Sequence, residues 1–230
     1  RDFCLSRGLG DVYKRQSTFR DAGGLWDKYP VEQVATPEGY ARNPELVINF
    51  YNERRKQLLD VVPNAGHLGV ADLERDFNVT VVTQNVDNLH ERAGSKRVIH
   101  LHGELTKVCS SRDPYNPHYI KELKPDEYEV KLGDKAGDGT QLRPFIVWFG
   151  ESVPEIETAV GYVEKADIFV IIGTSMNVYP AAGLLNYVPR DAEVYLIDPK
   201  PVDVHSMRQI HVIQKGASAG VQELRSLLKP

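Results

Sequence analysis

Short runs of β-branched and apolar residues recur along this chain between stretches of helical spacing, and that alternation restricts its possible folds more than any other feature. The runs lie at Val79 to Thr83, Val98 to Leu101, Phe145 to Phe149, Ile168 to Ile172, Val194 to Ile197 and Ile210 to Ile213. Helical patterns occupy Pro44 to Asp60, Ala65 to Phe77, Val153 to Lys165, Ala181 to Tyr187 and Val221 to Leu228. In the first of these, Leu46, Val47, Phe50, Tyr51, Leu58 and Leu59 recur between charged positions, behind Asn43 as N-cap and Pro44 at the first helical position. Apolar runs without alternation suit strands covered on both faces. The expected fold class is therefore α/β, a Rossmann-like parallel sheet with helices on both faces. Such sheets bind ligands beyond the carboxyl ends of their strands, which directs attention to whatever follows each run.

The rhythm fails in two places. Between Glu104 and Arg143, prolines, glycines and charges replace it, and residues 103–144 are expected to form a small inserted module. Arg1 to Gln16 shows neither helical nor strand periodicity and gives way abruptly to patterned sequence at Ser17. Its last six residues, Asp11 to Gln16, are also what the end sequence of a common library-preparation transposon would encode. Residues 1–16 are accordingly expected to be non-native or a disordered tail, leaving 17–102 and 145–230 as the Rossmann-like domain.

Lys and Arg total 28 against 32 Asp and Glu, a net charge of -4 that offers no positive field for a polyanion, so direct nucleic-acid binding is not expected. The longest strongly apolar stretch, Ile168 to Ile172, is far short of the roughly 20 residues of a membrane span. Two cysteines, Cys4 and Cys109, fit a reducing compartment, and a cytoplasmic location is expected.

Four groups of residues have chemical potential. Thr83-Gln84-Asn85-Val86-Asp87 sets two amides and a carboxylate at a strand end, although Asn and Asp are also ordinary turn formers. His100-Leu101-His102-Gly103 puts two imidazoles on one strand face, either of which is a possible general base or simply a satisfied histidine at the core's edge. Gly173-Thr174-Ser175 follows a buried run with a small-residue turn able to approach a phosphate, or merely to turn the chain. Tyr51 and Arg54 stand three apart on the first helix, so a phenol and a guanidinium point the same way and can clamp a carboxylate; an ordinary solvated arginine beside a tyrosine reads the same.

Together these pieces resemble the sirtuin family, the NAD-dependent protein lysine deacylases, over nearly everything from Ser17 to Leu228. The motifs agree in order: Ser17-Thr18-Phe19-Arg20-Asp21 with Gly24-Leu25-Trp26, then Thr83 to His90, His100 to Glu104, Trp148-Phe149-Gly150-Glu151, and Gly173-Thr174-Ser175 with Val178-Tyr179-Pro180-Ala181-Ala182. The run Phe50-Tyr51-Asn52-Glu53-Arg54-Arg55 looks most like the bacterial and mitochondrial subgroup that prefers negatively charged acyl groups.

The resemblance implies an activity that removes acetyl, and succinyl or malonyl, groups from lysine, giving nicotinamide and O-acyl-ADP-ribose. It implies His102 as catalytic base, with Phe19 and Arg20 covering the nicotinamide ribose and Gln84, Asn85 and Asp87 lining the ribose and nicotinamide pocket. Gly173, Thr174 and Ser175 would meet the adenosine and phosphate side, and Ala217 the adenine. Phe149, Gly150 and Val178 would flank the acyl-lysine peptide as an added strand, with Tyr51 and Arg54 at the distal acyl carboxylate. The expected partners are acyl-lysine proteins or peptides, and a monomer is expected. Two departures accompany the match. The family's opening Gly-Ala-Gly loop is absent, which leaves an NAD- or ADP-ribose-binding module without turnover as the alternative, and a sirtuin-like ADP-ribosyltransferase as a third reading. The inserted module offers only Cys109 where the family has two cysteine pairs; adding His118 still leaves a tetrahedral site two ligands short, so no zinc is expected.

Overall fold

The computed structural model describes residues 2–6, 29–173, 181–201 and 209–228. Among them, six strands form one parallel sheet: β1 (Asp2–Ser6), β2 (Asn78–Thr83), β3 (Val98–His100), β7 (Ile168–Ile172), β8 (Glu193–Ile197) and β9 (His211–Ile213), in the order β3-β2-β1-β7-β8-β9. Counted without the strands of the second sheet, this is the doubly wound order, whose direction reverses between β1 and β7. Alternation across the pleat divides the apolar residues between two faces. Ile168, Val170, Ile172, Tyr195 and Ile197 pack against Val70 and Leu73 of one helix (Ala65–Leu73) and Val221 and Leu224 of another (Ala217–Leu227). Phe169, Ile171, Val194 and Leu196 pack on the opposite side against Ala159 and Val163 of Ile156–Val163 and against Leu184.

In chain order the described helices are α1 (Val31–Val34), α2 (Pro37–Arg42), α3 (Pro44–Leu59), α4 (Ala65–Leu73), α5 (Leu89–Ala93), α6 (Ile156–Val163) and α7 (Ala217–Leu227). The Asn43 side chain accepts the Leu46 N–H at 3.1 Å with Pro44 in the first turn, as the sequence predicts for α3. Ala181–Tyr187 is a 3-10 segment, its i to i+3 bonding tighter than the predicted α-helix.

Three expectations need correction. Of the two alternatives for residues 1–16, the disordered tail fails at Asp2–Ser6, which is a strand inside the sheet, Phe3 pairing with both Val79 and Ile168; the strand does not bear on the non-native alternative. A five-residue strand bonded on both sides shows no alternation, and here its apolar centre of three residues is too brief to register as a run. Phe145 to Phe149, read as a further parallel strand, instead belongs in part to β6 (Leu142–Ile146), which pairs antiparallel with β4 (Gly103–Ser110) beside the short β5 (Lys121–Glu122). An apolar run alone does not reveal its partner's direction. The boundary expected between residues 144 and 145 thus falls inside β6.

Candidate active site

Every strand of the parallel sheet points the same way, so the turns after β2, β3, β7 and β9 gather along one edge. Gln84, Asn85 and Asp87 follow β2, His102 follows β3, Gly173 follows β7, and Ala217 opens α7 after β9. Gly173 adopts φ 59°, the left-handed region that glycine enters without strain, and its N–H donates to the Ile197 carbonyl at 2.8 Å. Gly173 lies beside the point where the strand order reverses, where this architecture leaves a crevice.

The turn after β2 is held from several sides. Asn85 N–H donates to Thr83 Oγ1 at 3.0 Å, the Val86 carbonyl accepts Leu105 N–H at 2.6 Å, and Asp87 Oδ1 accepts Leu89 N–H at 3.1 Å at the start of α5. Asp87 is therefore a turn former that also sits within electrostatic reach of Arg54. The two histidines of the next motif differ in kind. His102 Nδ1 lies 3.2 Å from the Gln84 carbonyl oxygen, an acceptor only, which sets the tautomer with Nδ1–H donating and the lone pair on Nε2. His100 is buried, with Nδ1 3.0 Å from the Asn85 carbonyl oxygen and Nε2 2.7 Å from Glu91 Oε1. Of the pair, His102 has the arrangement of a base. Gly103 follows it at φ 79°, where a Cβ would run into the Phe145 carbonyl oxygen.

Tyr51 and Arg54 share a buried face of α3; Arg54 is 7% exposed, so the solvated arginine that the sequence also allowed is not what forms. Two neighbours pin this helix to the inserted module, one to a loop and one to β4. Asn52 exchanges two hydrogen bonds with the Val130 backbone, at 2.8 and 3.0 Å, and Arg55 Nε donates to the Leu105 carbonyl at 2.8 Å. Trp148 Nε1 donates to the Tyr51 hydroxyl at 3.1 Å, occupying its oxygen while its proton remains to be donated. Burial pushes Tyr51 up to about 12, so the phenol stays protonated; burial likewise lowers Arg54 and takes Arg55 down to about 10, leaving both cationic at neutral pH. Phe149, 59% exposed, and Gly150, at φ 92°, continue from Trp148 toward the surface.

Phe19, Arg20, Thr174, Ser175 and Val178 lie outside the described residues. The described members fall into two groups: Gln84, Asn85, Asp87, His102, Gly173 and Ala217 on the sheet edge, and Tyr51, Arg54, Phe149 and Gly150 where α3 meets the chain leaving β6. Arg143 escaped the sequence reading. It is buried, pairs bidentately with Glu151 at 2.8 and 3.0 Å, and stacks 3.6 Å over the Trp148 ring, which in turn holds Tyr51. Only its place shortly before the Trp148 motif hints at this. Among the described residues there is no group of three or more His, Cys, Asp or Glu able to hold a metal ion.

Residues 16–180 match the family model described as "Sir2 family". The chain belongs to the Sir2 family. It is 83% identical over 214 residues to an NAD-dependent protein deacylase of Bacteroides thetaiotaomicron, covering 93% of this chain and 92% of that one. A protein of the same description from Helicobacter pylori is 48% identical over 207 residues, with 90% and 88% covered. A solved Sir2 homologue in complex with NAD superposes with a TM-score of 0.81 at 33% identity, over 98% of this chain and 90% of that one. A mutant Sir2 homologue bound to ADP-ribose gives 0.82 at 33% identity, over 99% and 93%. No helix among the described residues of this Sir2 chain is long and apolar enough to cross a membrane.

Proposed function

We propose that this chain is an NAD-dependent protein lysine deacylase that accepts acidic acyl groups as well as acetyl. The observation that carries the reading is His102, its tautomer set by the Gln84 carbonyl, on the same sheet edge as Asn85, Asp87 and Gly173. The residues present fit a dinucleotide. Gly173 supplies a turn without a Cβ beside the crevice, and Gly216, the N-cap of α7, lends no side chain to the first-turn N–H groups beside Ala217. Gln84, Asn85 and Asp87 would hold the ribose and nicotinamide end. When bound, NAD supplies the ribose carbon and hydroxyls that take up the acyl group.

The chain's own contribution is alignment and one proton. His102 Nε2, which carries the lone pair in this tautomer, can accept a proton from a ribose hydroxyl, while the peptide pairs along Phe149 and Gly150 as an added strand. Such pairing reads backbone, so many acyl-lysine sequences are acceptable.

At the place proposed for the distal acyl carboxylate, Arg54 has given up hydration on burial, and that carboxylate would offset the cost. The Tyr51 hydroxyl, already accepting from Trp148, has its proton to donate to the same carboxylate. A charge-assisted contact is worth about 1.5 to 3 kcal/mol. Arg54→Met should therefore lower release of nicotinamide with NAD and a succinyl-lysine peptide by about 10- to 100-fold, and leave the acetyl-peptide rate within about twofold. Equal loss with both peptides would remove the acidic-acyl assignment.

A further inference from the structure

Two imidazoles one residue apart have opposite needs. His102 Nδ1 meets an acceptor, the Gln84 carbonyl oxygen, whereas His100 meets an acceptor at each ring nitrogen. Neither a backbone carbonyl nor an ionised carboxylate brings a proton to a hydrogen bond, so a neutral ring satisfies one of the two partners of His100 and faces the other lone pair to lone pair. At 3.0 Å to the Asn85 carbonyl and 2.7 Å to Glu91, both contacts are hydrogen bonds together only when the ring carries both protons. We infer that His100 is an imidazolium strut, tied to Glu91, that positions the Gln84–Asp87 turn and takes no part in base catalysis. The functional half of this inference rests on the proposed role of that turn in holding NAD.

The surroundings agree. Burial opposes charge on His100, but the bond to Glu91, that carboxylate's field, the further field of Glu104 on β4 and the Asn85 carbonyl together lift it above the usual imidazole range. Burial also opposes charge on Glu91, and His100 more than offsets this, holding the carboxyl below its usual range. His90, the other titratable group nearby on α5, is held neutral by burial and adds no opposing charge at neutral pH.

When the ring loses a proton in alkali, the charge-assisted bond to Glu91 is the stronger and is kept. The Asn85 carbonyl is then released and the turn loosens, so the first effect should be a rising KM for NAD while kcat holds. Glu91→Gln keeps an acceptor and removes the charge, which should bring the titration of His100 down.

Two measurements test this. Long-range 1H–15N spectra of the ligand-free chain should show both His100 ring nitrogens protonated at pH 7, and a singly protonated ring would overturn the strut. The alkaline rise in KM for NAD should move down in Glu91→Gln by about the shift seen for the His100 ring in the same variant; an unmoved profile, even with a lowered melting temperature, would reduce the pair to a structural ion pair. Absence of turnover by the unaltered chain would defeat the deacylase reading, and the ring spectra would still decide the strut.

Discussion

The parallel sheet and the small antiparallel sheet of the same chain are held by different physics. Among the described residues, thirteen buried ones make one apolar cluster on one face of the parallel sheet, and a second cluster covers the other face. The small sheet lends Leu105 and Ile146 to a cluster shared with α3 and Trp148, and its far end has, among the described residues, a cluster of only three buried residues, Ile48 of α3, Val108 and Val130. At that far end polar bonds take the place of apolar surface. Ser110 Oγ donates to Asp138 at 2.7 Å and accepts the N–H groups of Arg112 and Asp113, both at 3.0 Å, while Thr140 donates to Asp138 through both its hydroxyl and its amide. The Thr140 hydroxyl first, with Ser110 and Arg112, holds the Asp138 carboxyl well below the usual range. Burial of apolar surface is non-directional and tolerates exchange of like for like; a polar network is directional and loses heavily when one member goes.

The contrast can be broken at both ends. Phe169→Ala removes the largest fully buried side chain of β7 and should cost about 3 to 5 kcal/mol in urea unfolding. A loss under about 1 kcal/mol would mean that the sheet does not depend on its packing. Arg143→Met strands Glu151 beside Trp148 and should cost about 3 kcal/mol, whereas adding Glu151→Gln to that variant should recover part of it. If the double variant is no better than the single one, charge complementarity is not what joins the small sheet to α3. The smallest effect is a pH dependence inside the larger lobe. Burial takes His90 down to about 3 from 6.5, so as pH falls through that interval the unfolded chain binds a proton that the folded chain refuses. Stability should fall with pH, by about 2 kcal/mol at pH 5 from this group, and the stability gap between the native chain and His90→Phe should change by about that amount between pH 7 and pH 5. A constant gap would show that His90 does not titrate this way.

What sequence could reveal follows the same division. β-branched runs and the Asn43-Pro44 start of α3 are local signals, and they predict β2, β3, β7 and β8 with ends within a residue or so. The His102 motif was equally visible, but deciding between its two imidazoles required the Gln84 and Asn85 carbonyls, which the turn brings back from 15 to 18 residues away. Arg143 with Glu151, and Asn52 with Val130, join segments through polar atoms that obey no periodicity, so nothing along the chain announces them. Direction of pairing was hidden for the same reason at Phe145 and Ile146.

The close crossing at Gly103 couples what the two sheets do. The residue that ends the larger lobe's motif is bonded directly to the one that begins the smaller sheet, and the crossing leaves no room there for even a methyl group. Anyone grafting a foreign module onto this scaffold, or trimming this one, is therefore also aiming an imidazole, and must reproduce that single backbone crossing before any other detail of the transplant matters.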